Sequence, residues 1–206
     1  PHRRVSAASA YLTREVRARS NLTLLSGTRA ETLIVDGQRV AGVVLRNASG
    51  TWAATAADTL VSCGGIFSPA LLMRSGIGHA AQLRVLGVAP HHDLPGVGRN
   101  LQNHPKIELA VHLPRASRQR RTQRDLGQNC LRFSSGMEGT LAHDMGLVSI
   151  NKAGWHPLGD SIGVVGVALY EPHATGAVTL ASPHASDMPQ VRFNLLSEPR
   201  DLARMV

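Results

Sequence analysis

Apolar positions first recur at helical spacing. Ala7, Ala10, Tyr11, Val16 and Ala18 line residues 7–19 behind Ser6, whose hydroxyl can cap a helix. From Leu22 the period shortens to two. Residues 22–25, 31–35, 40–45 and 51–57 read as strands, with turns at Asp36-Gly37 and Ser49-Gly50, so residues 22–57 predict a small antiparallel meander. Residues 59–63 are nearly all apolar and end at Gly64-Gly65, as a strand buried on both faces would. Ser68-Pro69 then predicts a helix start, with Leu71, Leu72 and Met73 inside and Gly76 at its end. A second short helix is expected over residues 80–86. After a rigid turn at residues 94–98, a helical stretch is expected through Asn100, Leu101 and Gln102.

Beyond His104-Pro105 the pattern changes to strands, over residues 107–112, 146–150, 162–170, 177–180 and 191–194, and a last helix begins near Glu198. A domain boundary is therefore expected near residue 105. From the residues alone the fold class is α+β, with an embedded strand–Gly-Gly–helix unit.

Composition narrows the picture. With 206 residues, 43% apolar and 17% charged, the chain can bury a substantial core but cannot hold two full-sized domains. No apolar run is long enough to span a bilayer. The N-terminus has neither an initiator Met nor the apolar segment of a signal peptide, and it reads as the interior of something longer. Two distant cysteines, Cys63 and Cys130, make no disulfide framework, which implies reduced thiols and a cytoplasmic setting. No His spacing converges on a metal. The net charge of +8 is concentrated in Arg115, Arg118, Arg120, Arg121 and Arg124. That run reads as a solvated loop. The alternative is a binding module that meets acidic ligands through it, but no aromatic interleaves the run to stack bases, so nucleic acid is not the expected partner.

Gly76-Ile77-Gly78-His79-Ala80-Ala81 matches the dinucleotide pattern Gly-x-Gly-x-x-Gly/Ala, but helical signals precede it, so the glycines are expected to serve as a helix C-cap and a tight turn. His104 on its own is ordinarily a structural residue. Lys106, costly to bury unpaired, must face solvent or an anion.

Two long segments and a third stretch in three pieces carry more. Ser62-Cys63-Gly64-Gly65-Ile66-Phe67-Ser68-Pro69-Ala70-Leu71-Leu72-Met73-Arg74-Ser75-Gly76-Ile77-Gly78 is followed by Leu94-Pro95-Gly96-Val97-Gly98-Arg99-Asn100-Leu101-Gln102-Asn103-His104. Then come Gly176-Ala177-Val178-Thr179-Leu180, Pro189-Gln190-Val191-Arg192-Phe193-Asn194 and Pro199-Arg200-Asp201-Leu202. In order and spacing these resemble the signatures of the glucose–methanol–choline (GMC) flavin oxidoreductases. The resemblance covers nearly the whole chain apart from residues 113–160.

It implies the middle of an FAD-dependent alcohol oxidoreductase, alcohol or choline dehydrogenase-like, oxidising CH–OH to a carbonyl. Residues 1–104 would be a partial FAD-binding domain containing the meander. Residues 105–206 would be part of an antiparallel-sheet substrate domain. The family's pyrophosphate loop and its catalytic His segment have no counterpart in the 206 residues. The chain is thus expected to carry no catalytic residue of its own and to act with the remaining segments of a parent enzyme.

Ala30, Cys63 and Gly64 would lie against FAD, and His104 and Lys106 on the substrate side. In choline-oxidising members an acid stands where this chain has Lys106, so a neutral or anionic alcohol is expected rather than choline. Gly65 for Ala, Phe67 for a small or polar residue and Asn103 for Asp are further departures.

Overall fold

The computed structural model describes residues 5–119, 128–154 and 158–206. The chain divides into two units, Pro1–Val61 and Ser62–Val206.

In the first unit the single expected helix is two. α1 (Ala7–Tyr11) is closed by a reciprocal capping box between Ser6 and Ser9, and Thr13 opens α2 (Arg14–Arg17) by accepting from the Val16 N–H. Leu12, between them, leaves the helical region, so the two short turns do not merge. Residues 22–25 form no strand. The meander is present: β1 (Arg29–Asp36), β2 (Arg39–Asn47) and β3 (Gly50–Thr55) pair antiparallel in sequence order. Gly37, at φ +59°, makes the tight turn the Asp-Gly pair predicts. Gly42 lies so close to β3 that a Cβ there would sit 2.2 Å from the Ala54 carbonyl oxygen.

Residues 59–63, expected as a doubly buried strand, are not one. No strand pairs with them among the described residues, and Leu60 is 92% exposed. An apolar run becomes a strand only where a neighbour takes its backbone hydrogen bonds.

The second unit begins with α3 (Gly64–Arg74), which starts four residues before the expected cap. Pro69, inside it, lacks an N–H, and Ser68 reaches back instead, its Oγ accepting from the Cys63 N–H at 2.9 Å. The helix stops at Gly76, left-handed at φ +78°, where a side chain would collide with the Ala89 carbonyl. β4 (Ile77–Gly78) pairs in parallel with β5 (His92–Asp93), flanking α4 (Ala80–Val85). Ala70, Met73 and Leu83 pack with Val178 and Leu180 into the unit's core.

The stretch through Asn100 is a strand, β6 (Arg99–Leu101), not a helical turn. It pairs with β11 (Gly176–Thr179), which also pairs with β12 (Gln190–Arg192). Gly98, at φ +80°, accepts from the Val178 N–H at 2.7 Å and has no room for a Cβ beside the Val178 oxygen.

β7 (Lys106–His112), β8 (Gln128–Phe133), β9 (Met145–Ile150) and β10 (Ile162–Leu169) form an antiparallel sheet in the order β7-β10-β9-β8. β8 is an addition to the expected strands. α5 (Pro199–Met205) closes the chain.

Candidate functional site

The four-stranded sheet has two unlike faces, set by register. Lys106 lies opposite Ala168 and Gly146 opposite both Ala168 and Arg132, while Glu108 lies opposite Gly166. Opposed residues share a face. Lys106, Glu108, His112, Cys130 and Arg132 therefore stand on one side. Ile107, Leu109, Val111, Leu131 and Phe133 stand on the other, all exposed.

The polar face gathers around Tyr170, two residues beyond Ala168. Gly146 makes room for it: a Cβ there would come within 2.5 Å of the ring. Arg132 sets its guanidinium carbon 5.0 Å from the ring centroid, and Cys130 Sγ lies 3.7 Å from the phenol oxygen. His104 meets the ring edge-on, centroids 5.1 Å apart at 82°. The Cys130 contact first, and burial second, hold the phenol above its ordinary range against the pull of Arg132 and Lys106. Tyr170 is therefore a protonated donor at neutral pH.

The segment leading to this cluster is tied down residue by residue. Gln102 donates through Nε2 to the Pro172 carbonyl at 2.7 Å, and Asn103 Oδ1 accepts from the His104 N–H at 3.0 Å. Pro105, buried, accepts from the Leu169 N–H. Asn103, where the resemblance has Asp, thus still supplies an acceptor. Lys106 pairs with Glu108 across one strand repeat, and Gly166 leaves space for its stem. His104 and Lys106 are brought together with Tyr170, Glu108, Cys130 and Arg132, which the sequence reading did not single out. Lys106-x-Glu108 on a period-two strand is the signal that would have found Glu108.

A second polar group is buried beside the first. Arg204 donates from Nη1 to Asp144 Oδ2 at 2.9 Å, and from Nη2 to Asp201 Oδ1 at 2.6 Å and to the Glu171 carbonyl at 2.9 Å. Asp201 also accepts from the His173 and Ala174 N–H groups, and Asp144 from the Ser135 N–H and hydroxyl. Burial acts most strongly on both carboxyls and would raise them. For Asp144 the Ser135 donors and Arg204 outweigh it, for Asp201 the backbone donors and Arg204, and both end below their usual range. The Pro-Arg-Asp-Leu motif is thus a structural clasp between α5 and residues 171–174.

Ala30 is half-buried in β1 of the first unit. Cys63 and Gly64 open α3 in the second. Cys63 is exposed and caps the helix without a side-chain bond, and Gly64, at φ +76°, has nothing within 4 Å of where a Cβ would point. That bare backbone fits close approach by a flat group such as FAD. The Gly76–Ala81 match has no such opening: the first N–H of α4 is taken by the Asp93 carboxylate, Ala80 N to Oδ1 at 2.9 Å. Of the arginine run, Arg118 donates to the Leu113 carbonyl and lies 3.3 Å from His112, while Arg120, Arg121 and Arg124 lie outside the described residues. Among the described residues no three His, Cys, Asp or Glu side chains form a metal site, and no helix is long and apolar enough to cross a membrane.

A mixed α/β chain of antiparallel sheets with an ordered Gly-rich helix start defines a class, and the comparisons give it a family. The family model for GMC oxidoreductase matches residues 1–106, and the chain belongs to that family. It is 35% identical to 5-(hydroxymethyl)furfural oxidase of Methylovorus sp. (strain MP688) over 98% of its own length and 38% of that protein. Over 52% of its length it is 43% identical to oxygen-dependent choline dehydrogenase of Ectopseudomonas mendocina (strain ymp), covering 19% of that protein. A crystal structure of pyridoxine 4-oxidase from Mesorbium loti superposes with a TM-score of 0.82 at 26% identity, over 98% of this chain and 41% of that one. The chain therefore spans about two fifths or less of the length of these proteins.

Proposed function

We propose that these residues are the middle of an FAD-dependent oxidoreductase that converts a small neutral alcohol to its carbonyl. Residues 1–104 belong to the FAD-binding portion and residues 105–206 to the substrate-binding portion. The cofactor, when bound, supplies the hydride acceptor. Ala30, Cys63 and Gly64 would lie against it, and Gly64 would offer backbone that no side chain obstructs.

The residues of this chain bind and orient. His104 and the protonated Tyr170 phenol offer hydrogen bonds beside a position where charge cancels. One observation carries the choice of substrate: Lys106 is ion-paired with Glu108 at the foot of β7. A lone Lys106 would favour anions. The pair presents a dipole that favours neither a quaternary ammonium nor a carboxylate strongly. The proton-accepting His that the resemblance implies is expected outside these residues.

The test is a substrate panel on the longest product that carries these residues, preceded by its visible spectrum. Flavin bands near about 370 and 450 nm are expected. Uncharged primary alcohols should give the highest kcat/KM. Preference for choline would overturn the substrate reading, and a colourless, inactive product would overturn the enzyme reading. The 206-residue chain alone is expected not to oxidise alcohols.

A further inference from the structure

Away from the Tyr170 cluster, Arg99 and Arg192 face each other across a single strand. Ala177 of β11 pairs with Arg192 of β12 on one side and with Arg99 of β6 on the other. Directly opposed residues project to the same face, so two guanidiniums flank one methyl group. They line a cleft of about 290 Å³ together with Asn100, Thr175 and Asn194. No carboxylate lines it, and neither arginine has an ion-pair partner among the described residues.

The backbone is shaped to this arrangement. Asn100 is the extra residue where the β6–β11 register slips, and it takes a left-handed conformation at φ 56°. Asn194 does the same at φ 58° as it leaves β12, and its amide donates to the Thr175 carbonyl at 3.3 Å. Asn tolerates this region better than most residues. Both bends carry amide side chains to the rim of the cleft. Gly176 permits the close approach of β12, since a Cβ there would overlap the Arg192 carbonyl.

We propose that this cleft binds the phosphate group of a phosphate monoester. Two planar five-donor forks on either side of a small floor match a tetrahedral dianion, whose charge neutralises both. A carboxylate carries a single charge and would neutralise only one of the two. The cleft is larger than a bare phosphate, so the group arrives on a larger molecule. This site is separate from the alcohol reading and stands or falls without it.

The experiment titrates phenyl phosphate, inorganic phosphate and benzoate into the longest product that carries these residues, at constant ionic strength, read by calorimetry. Saturable one-to-one binding of phenyl phosphate is expected, with benzoate at least about tenfold weaker. Arg99→Gln and Arg192→Gln should each weaken phenyl phosphate about tenfold or more, and Arg118→Gln should leave it unchanged. Arg192→Lys keeps the charge but loses the fork, so it should fall between, and it decides the matter if a glutamine variant fails to fold. Absence of saturable binding, equal affinity for benzoate, or a loss on Arg118→Gln as large as on Arg192→Gln would overturn the proposal.

Discussion

Arg204 sits between Asp144 and Asp201 with all three side chains fully buried, whereas Lys106 and Glu108 pair on an open sheet face with 37% and 48% of their side-chain surfaces exposed. The chemistry is the same and the surroundings differ. In the buried group almost every polar atom is partnered by protein, the exception being Arg204 Nε. The charges there hold α5 to the turn after β10 and to the loop before β9. On the sheet face water competes for both partners, so the pair adds little to stability and is free to act on whatever approaches. Charge that fixes a fold is enclosed. Charge left on an open face stays where a ligand could reach it.

The buried group gives the largest expected effect. Arg204→Ala strands two carboxylates without a counter-charge, and unfolding free energy should fall by about 3–5 kcal/mol, read from urea denaturation. Replacing Asp144, Asp201 and Arg204 together by apolar residues of similar volume should cost much less. If the single variant loses under about 1 kcal/mol, the clasp is not what holds α5.

Acid should act on the same group. Both carboxyls sit below their usual range when folded, so their stabilisation is complete above the unfolded value near about 3.9 and disappears as pH falls through the folded value. The urea midpoint of the native chain should therefore drop steeply below about pH 4. Arg204→Ala should flatten that drop, because the arginine helps to depress both groups.

Gly146 tests the boundary between the two regions. Gly146→Val drives a side chain into the Tyr170 ring, and an overpacked site of this kind costs about 1–3 kcal/mol. It should also displace Tyr170 from Arg132 and His104, visible as a change in tyrosine absorbance. Loss of stability with an unchanged tyrosine spectrum would mean that the ring does not need the glycine.

Each of these regions was legible in the sequence only in part. Hydrophobic alternation placed the meander and strands β7, β9 and β10 because each carries its own period. Family spacing marked Asp201 without saying what it does, since its two backbone donors lie 27 and 28 residues away in the chain. β8 was missed because Gln128–Phe133 follows the arginine-rich run and gains its identity from pairing with β9. Residues 59–63 failed in the opposite sense: their pattern is right for a strand, but no partner strand stands among the described residues. The strand through Asn100 was mistaken for a helix because a left-handed bulge breaks the alternation. In the candidate site, His104 and Lys106 were found by resemblance. Tyr170 was not, because what recruits it is the absence of a side chain at Gly146 on another strand.

The exposed pair gives the smallest effect on the fold and the most selective effect on binding. Lys106→Gln and Glu108→Gln should each change unfolding free energy by no more than about 1 kcal/mol, within the range of surface ion pairs. Their effects on ligand choice should be opposite in sign. Removing Lys106 leaves Glu108 unopposed and should raise relative activity toward cationic alcohols in the product that carries these residues. Removing Glu108 frees Lys106 and should favour alcohols that bear a carboxylate. The double variant should return to the proposed preference for neutral alcohols, since the net charge at that position is again zero. If both single variants shift preference in the same direction, the pair is acting through the shape of the sheet face rather than through its charge, and the contrast with Arg204 no longer holds.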